Sequence, residues 1–391
     1  MDVRQNYKFL VSTKVLFGAG KLGELHTLPL PGRKALLVIS SGKSVKTNGY
    51  LDKTIDELKQ AGVESIVFNE VQANPHKETV EAGAATAVAS NCDFVVALGG
   101  GSVLDAAKLM AMLATNGDDL WDYAIGGTGR KQPVRQKPLP WIAIPTTAGT
   151  GSEVDIAGVI TNLATKEKMG ILGSCADYAI IDPELTLSIP PRFTVFQGFD
   201  ALFHSLEGYI CRTENIFSEM VQEKVISSVS HFLPIAYHNG KDLKARSALS
   251  FAAMLSGYSM MASTCTAEHS IEHALSAYHE QLPHGAGLIM ISQAYFATII
   301  RQHTCDERFL RMAKLMGMEE AAKPEDFLTA LLKLQQQCDV SNLRMSDYGI
   351  QPSEFDTMAT NAIEVMCRLT TQDIQPLTHD EIVEILKQSY Q

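Results

Sequence analysis

"CDFVVALGGGSVLDAAK", residues 92–108, decides the fold class. A nearly continuous apolar run meets three glycines, and a helix-forming segment follows at once. Such a short unbroken apolar run fits a strand covered on both faces, as in parallel sheets sandwiched between helices. The glycines let backbone approach a ligand closely. The free N–H groups and positive dipole end of the next helix suit a phosphate. Gly99, Gly100, Gly101 and Ser102 are therefore candidates for a pyrophosphate, with Asp105 counted among the cofactor-binding residues. The competing reading is a glycine turn that binds nothing.

Outward from this stretch the same grammar repeats. "KALLVIS" (34–40), "ESIVFNEV" (64–71) and "LPWIAIPTT" (139–147) are strand-like, and the amphipathic "YLDKTIDELKQAG" and "KETVEAGAATAVAS" lie between strands. Alternating signals of this kind mean βαβ units, a parallel sheet and right-handed crossovers. "IPTTAGTGSE" (144–153) supplies a second loop after a strand. The hydroxyls of Thr146, Thr147, Thr150 and Ser152 there suit phosphate or ribose oxygens. "GAGKLG" (18–23) matches GxGxxG, but about twenty residues on the chain reads Ser40-Ser41-Gly42, without a carboxylate for a ribose. A tight turn into a helix is the better reading.

Past "DPELTLSIPPR" the pattern changes. "EMVQEKVISSVSHFL", "FAAMLSGYSMMAS", "DFLTALLKLQQQ" and "EFDTMATNAIEVMCRL" carry apolar residues at three- and four-residue spacing, the mark of amphipathic helices. Thr378 and Glu381 stand in capping-box register before the last of them. With the break at Pro190-Pro191, the expected organisation is an α/β dinucleotide-binding domain with a parallel sheet over residues 1–190. An all-helical metal and catalytic domain follows over 191–391.

Composition narrows the partners. A chain of 391 residues is too long for a single ordinary core. A formal charge of -11 argues against a general nucleic-acid binder, whose footprint is basic. No apolar run reaches the roughly 18 residues of a membrane helix, and the N-terminus lacks signal-peptide features. Seven scattered cysteines without a CxxC pair fit free thiols in a reducing compartment, so a cytoplasmic protein is expected.

"EHSIEHALSAYHEQLPHG" (268–285) holds four of the eleven histidines. His269 and His273 share one helical face, and Pro283 breaks the helix before His284. Upstream, "QGFDALFHSLEGYI" (197–210) places Asp200 and His204 four apart in an otherwise apolar helix. A carboxylate and imidazoles aimed into an apolar bundle are costly unless paired or metal-bound. Singly, each histidine reads as a structural residue. Together, Asp200, His204, His269 and His284 could surround one divalent ion, and nitrogen and oxygen ligands without cysteine suit Fe2+ or Zn2+.

These four motifs, in this order and at about this spacing, resemble the iron-containing (group III) alcohol dehydrogenase family over nearly the whole chain. The resemblance implies the dehydroquinate synthase-like fold of that family, with a nicotinamide dinucleotide on the first domain and a divalent metal in the second. It makes Asp200, His204, His269 and His284 the ligands and places His273 beside the nicotinamide, without a ligand role. It also puts Thr146, Thr147 and Thr150 near the phosphates and nicotinamide ribose, and Lys168 near the cofactor. His279 matches no family ligand and reads as surface.

The implied reaction is reversible hydride transfer between a small alcohol or aldehyde and NADP or NAD, with His273 as a possible proton relay. Many relatives place an Asp at the end of the strand "ALLVIS"; here Ser40, Ser41 and Gly42 precede Lys43 and Lys46, which should admit NADP(H). Ala157 and Gly158 suggest enlarged pocket space, with Met260 and Cys265 on the approach to His269. Two alternatives stay open: a dehydroquinate-synthase-like lyase that borrows NAD transiently, and a non-catalytic nucleotide-binding protein. Relatives commonly self-associate, so a homodimer is expected.

Overall fold

The strand-like runs become strands, and those at 34–40, 94–99 and 141–145 bury nearly all of their side chains while 64–71, at the sheet edge, buries few. In the computed structural model, which describes residues 6–117 and 119–390, these are β1 (Lys14–Phe17), β2 (Lys34–Ser40), β3 (Glu64–Val71), β4 (Phe94–Gly99) and β5 (Trp141–Pro145). A two-stranded antiparallel hairpin follows, β6 (Ala157–Asn162) and β7 (Glu167–Leu172), and then β8 (Tyr178–Ile181). The intervening helices are α1 (Ser44–Thr47), α2 (Tyr50–Gln60), α3 (Lys77–Ala89) and α4 (Gly101–Asn116). These elements belong to one compact unit, Leu10–Ser188.

Its main sheet runs β1-β8-β5-β4-β2-β3, and every pairing is parallel. The order reverses between β2 and β4: the chain moves outward from β2 to β3, returns to β4, and then advances the other way. Ligands of such sheets bind outside the strands' carboxyl ends at this switch point. Ser40 and Gly99 end the two strands that flank it, and Pro145 ends the next strand over. Topology therefore brings the three loops singled out in the sequence to one sheet edge.

"GAGKLG" opens a short 3-10 helix, Lys21–Thr27. Its entry N–H groups are already taken: Asp182 accepts from Gly20 at 3.0 Å and from Leu22 at 3.1 Å. A carboxylate of the protein occupies the place a phosphate would need, so this motif is a structural turn.

Among the described residues, the second unit comprises 189–390 and 6–9. Its helices are α5 (Pro191–Ile210), α6 (Ile216–His238), α7 (Leu243–Ala262), α8 (Ala267–Tyr278), α9 (His284–Arg301), α10 (Asp306–Leu315) and α11 (Asp326–Gln337). Three more follow, α12 (Phe355–Val365), α13 (Cys367–Thr370) and α14 (His379–Ser389). Pro191 supplies the pre-set first turn of α5. At α14, Thr378 and Glu381 cap each other's backbone N–H.

From Thr194 to Ile210, α5 is buried on nearly every side. A helix buried all round must sit at the centre of a bundle, and α5 packs against α6, α7 and α9. Among the described residues no helix is long and apolar enough to cross a membrane.

Candidate active site

At the sheet edge, β4 runs into α4 through Gly99 and Gly100. The first turn of α4 carries no acidic side chain, so its positive end is open to an anion. The hydroxyl-rich loop after β5 lies directly on these glycines. A Cβ on Gly100 would stand 2.9 Å from the Thr147 methyl, and one on Gly101 would stand 2.4 Å from that of Thr150. Thr146 N–H donates to the Gly99 carbonyl at 2.9 Å. The glycines are thus required by loop-to-loop packing as well as by any ligand.

Behind this edge lies a buried ionic cluster that sequence reading missed. The Lys108 ammonium is fully buried and donates to Asp155, to Ser152 Oγ at 3.1 Å and to the Ala157 carbonyl at 2.7 Å. Asp105 accepts from Ser152 Oγ at 2.5 Å and from Val159 N–H at 3.0 Å. Burial pushes its carboxyl up to about 6, against the opposing pull of Lys108. Both oxygens of Asp105 are engaged within the protein, so it braces the loop. The i,i+3 pair Asp105 and Lys108 on α4 was the available signal.

One other expectation changes. Gly158 does not enlarge a pocket: a Cβ there would stand 2.7 Å from the Asp105 carbonyl, so its smallness lets β6 press onto α4. Lys168, on β7, is buried and donates to Asn74 at 3.0 Å. Ser40 is half-buried, and Lys43 and Lys46 are exposed.

In the helical unit, α5, α8 and α9 bring four side chains together. Asp200 Oδ1 lies 3.6 Å from His204 Nε2, 3.7 Å from His269 Nε2 and 3.6 Å from His284 Nε2. These separations are too long for hydrogen bonds. They are separations that two ligands of one ion would show, since atoms about 2.1 Å from a tetrahedral ion lie about 3.4 Å apart; the ligand atoms that lie within 4.8 Å of one another are those of Asp200, His269 and His284, and those of His204, Cys265 and His269. Asp200 Oδ1 and His269 Nε2 are buried without a hydrogen-bond partner among the described residues, the signature of groups built for something else. Burial pushes the Asp200 carboxyl up, but the three imidazoles outweigh it and hold it below its ordinary value. Burial drives the His204 imidazole down to about 4, which leaves it a neutral donor. The donor set and its orphaned atoms fit a divalent metal.

Backbone packing sets this convergence. A Cβ on Gly285 would stand 2.2 Å from the Phe196 carbonyl, so only glycine lets the first turn of α9 rest on α5. That contact lies one turn before Asp200 and brings His284, the first residue of α9, to the site.

His273 is buried on α8, its ring centroid 5.4 Å from that of His284 and 6.4 Å from that of His269, but it is not one of the rings around Asp200. His279 is half-buried and within 3.1 Å of Glu354, so it is a pairing residue, and the surface reading fails. Cys265 lies between α7 and α8, with its sulfur close to His204 and His269. Burial raises its thiol to about 11, so it stays neutral.

Two acidic residues beside the site, Glu207 and Glu272, went unread. Both are fully buried, and each accepts from Nδ1 of one histidine, Glu207 from His269 and Glu272 from His284. Their spacings, 200/204/207 and 269/272/273, put them on the ligand-bearing faces and could have revealed them.

The whole chain has relatives. It is 31% identical to "Probable NADH-dependent butanol dehydrogenase 1" of Bacillus subtilis (strain 168), covering 98% of this chain and all of that protein. It is 32% identical to the choline dehydrogenase of the same organism, over 93% and 90% of the two chains. Among solved structures it is similar to an archaeal halo-thermophilic alcohol dehydrogenase from a Red Sea brine pool, with a TM-score of 0.93, 30% identity, and 99% and 100% of the chains covered. The model for iron-containing alcohol dehydrogenases matches residues 12–183, and that for the C-terminal part of the Fe-containing alcohol dehydrogenase family matches residues 194–390. With both halves matched, and with three histidines drawn around one oxygen of Asp200, the chain belongs to the iron-containing alcohol dehydrogenase family.

Proposed function

We propose that this chain is a metal-dependent alcohol dehydrogenase, or aldehyde reductase, transferring hydride between NAD(P)(H) and a small alcohol or aldehyde. The observation that carries the reading is the set of imidazole nitrogens converging at 3.6–3.7 Å on one unpartnered oxygen of Asp200. Asp200, His204, His269 and His284 would hold Fe2+, with Zn2+ as the other ion this donor set suits. When bound, the ion supplies Lewis acidity toward the substrate oxygen, and the dinucleotide supplies the redox chemistry.

The residues of the chain do the rest. Gly99, Gly100, Gly101 and Ser102 bind pyrophosphate at the start of α4, and Thr146, Thr147 and Thr150 orient phosphate and ribose oxygens. Lys168 lies near the cofactor side. His273 holds or passes the proton released at the alcohol, or positions a ribose hydroxyl. Without a carboxylate at the end of β2, and with Lys43 and Lys46 exposed just after it, NADP(H) is admitted along with NAD(H). The protein acts as a homodimer in the cytoplasm.

The test follows absorbance at 340 nm with NADH or NADPH, short aldehydes and added Fe2+ or Zn2+. Steady oxidation of the nicotinamide, lost on chelation and regained with metal, supports the reading. Full activity in exhaustively chelated protein sinks it. For the proton role, an unchanged pH–rate profile in His273→Ala rejects the relay.

A further inference from the structure

We propose that Glu272 and Glu207 are positioning residues of the metal centre, each locking one ligand histidine in the tautomer that presents Nε2 to the ion; this rests on the metal reading above. A carboxylate acceptor at Nδ1 requires the proton there, which leaves the Nε2 lone pair free for a metal. Glu207 does this for His269, and Glu272 for His284. His204, by contrast, has a buried Nδ1 without a partner among the described residues, so its ring is fixed by packing, stacked on His269 at 4.5 Å and 19°.

The Glu207 carboxylate is itself held. Glu207 Oε2 accepts from Thr266 N–H and Thr266 Oγ1, each at 2.8 Å, while Oε1 takes His269. Glu272 is seated against the start of α9: a Cβ on Gly287 would stand 2.8 Å from Glu272 Cγ. The glycine after Ala286 thus makes room for this side chain, as Gly285 makes room for α5.

Glu272 also answers an electrostatic problem. His284 is the first residue of an 18-residue helix whose first turn has no acidic side chain. The positive end of the helix dipole disfavours a cation there. Glu272, reaching over from α8, puts a negative charge on the far side of the ring and offsets it. His269 also lies in the first turn of its helix, α8, so Glu207 answers the same field there.

The test compares metal-free wild type, Glu272→Gln, Glu272→Ala and Glu207→Gln. Zn2+ affinity is read by chelator competition, ligand geometry by the Co2+ d–d spectrum, and histidine tautomers by 15N NMR. Glu272→Ala should lose about 10–100-fold in affinity, with an altered Co2+ spectrum and a mixed tautomer at His284. Glu272→Gln, which keeps an oxygen acceptor without the charge, should lose less, and the thermal midpoint of its metal-free form should match wild type. Wild-type affinity and spectrum in the folded Glu272 variants overturn the proposal, and Glu272→Gln decides alone if the alanine variant does not fold. If wild type itself takes up no metal, the metal reading fails instead.

Discussion

Lys108 and Asp200 are both charged side chains on helices with almost no exposed face, yet their surroundings differ in kind. Around Lys108, every donor meets an acceptor from its own unit: Asp155, Ser152 and the Ala157 carbonyl. Around Asp200, three imidazoles stand just beyond hydrogen-bond reach and the facing oxygen has no partner. One cluster brings its own cation and braces a loop. The other is incomplete without one. Buried charge alone therefore does not mark a ligand site; buried charge left geometrically unsatisfied does.

The strongest way to break this contrast is to remove its centre. Asp200→Ala should abolish stoichiometric metal binding and cut turnover on the order of 10^4-fold, as loss of a Lewis acid worth several kcal/mol demands. Metal analysis and steady-state kinetics check it; full metal content in the variant would contradict the cage.

The complementary substitution acts on stability. Lys108→Ala leaves Asp155 and Asp105 without their buried counter-charge and should cost roughly 3–5 kcal/mol in urea unfolding, since breaking a buried pair strands the remaining charge. The double variant Lys108→Met with Asp155→Leu should recover part of that loss. A single variant as stable as wild type would mean that water reaches the cluster.

A smaller, pH-dependent effect sharpens the picture. Glu153, Asp105 and Asp155 crowd one ammonium, and burial pushes the Glu153 carboxyl up to about 7 from an ordinary 4.5. Between these values the folded form holds a proton that the unfolded form has released. This contribution is complete below the ordinary value and falls away, by up to about 3 kcal/mol, as pH rises to the folded one. Glu153→Gln should remove that slope. Equal pH dependence in the two proteins, measured by denaturant titration at about pH 5 and about pH 8, would assign the slope elsewhere.

Much of the fold was legible because its signals are local. The runs 34–40 and 64–71 became β2 and β3 residue for residue, and 326–337 became α11, since periodicity and turn residues already fix such elements. The hairpin of β6 and β7 and the edge pairing of β1 with β8 were not read. Long-range pairing depends on partners far off in sequence, and a four-residue strand such as Tyr178–Ile181 carries too little pattern to announce itself. The same division runs through the sites: Asp200, His204 and His269 stood out as polar residues at helical spacing. The contacts of Asp105 and Gly158, by contrast, come from another element and were not legible.

The sequence by itself determined the α/β-then-helical order, the glycine loops and the identity of the side chains able to hold a metal, because hydrophobic period, backbone freedom and ligand chemistry are properties of residues near one another. Only the tertiary structure decided which buried charges are satisfied. Gly285 resting on the Phe196 backbone brings His284 to Asp200, and Glu207 and Glu272 end up behind their histidines. Those relations are distances between helices, set by close packing, and no single segment encodes them.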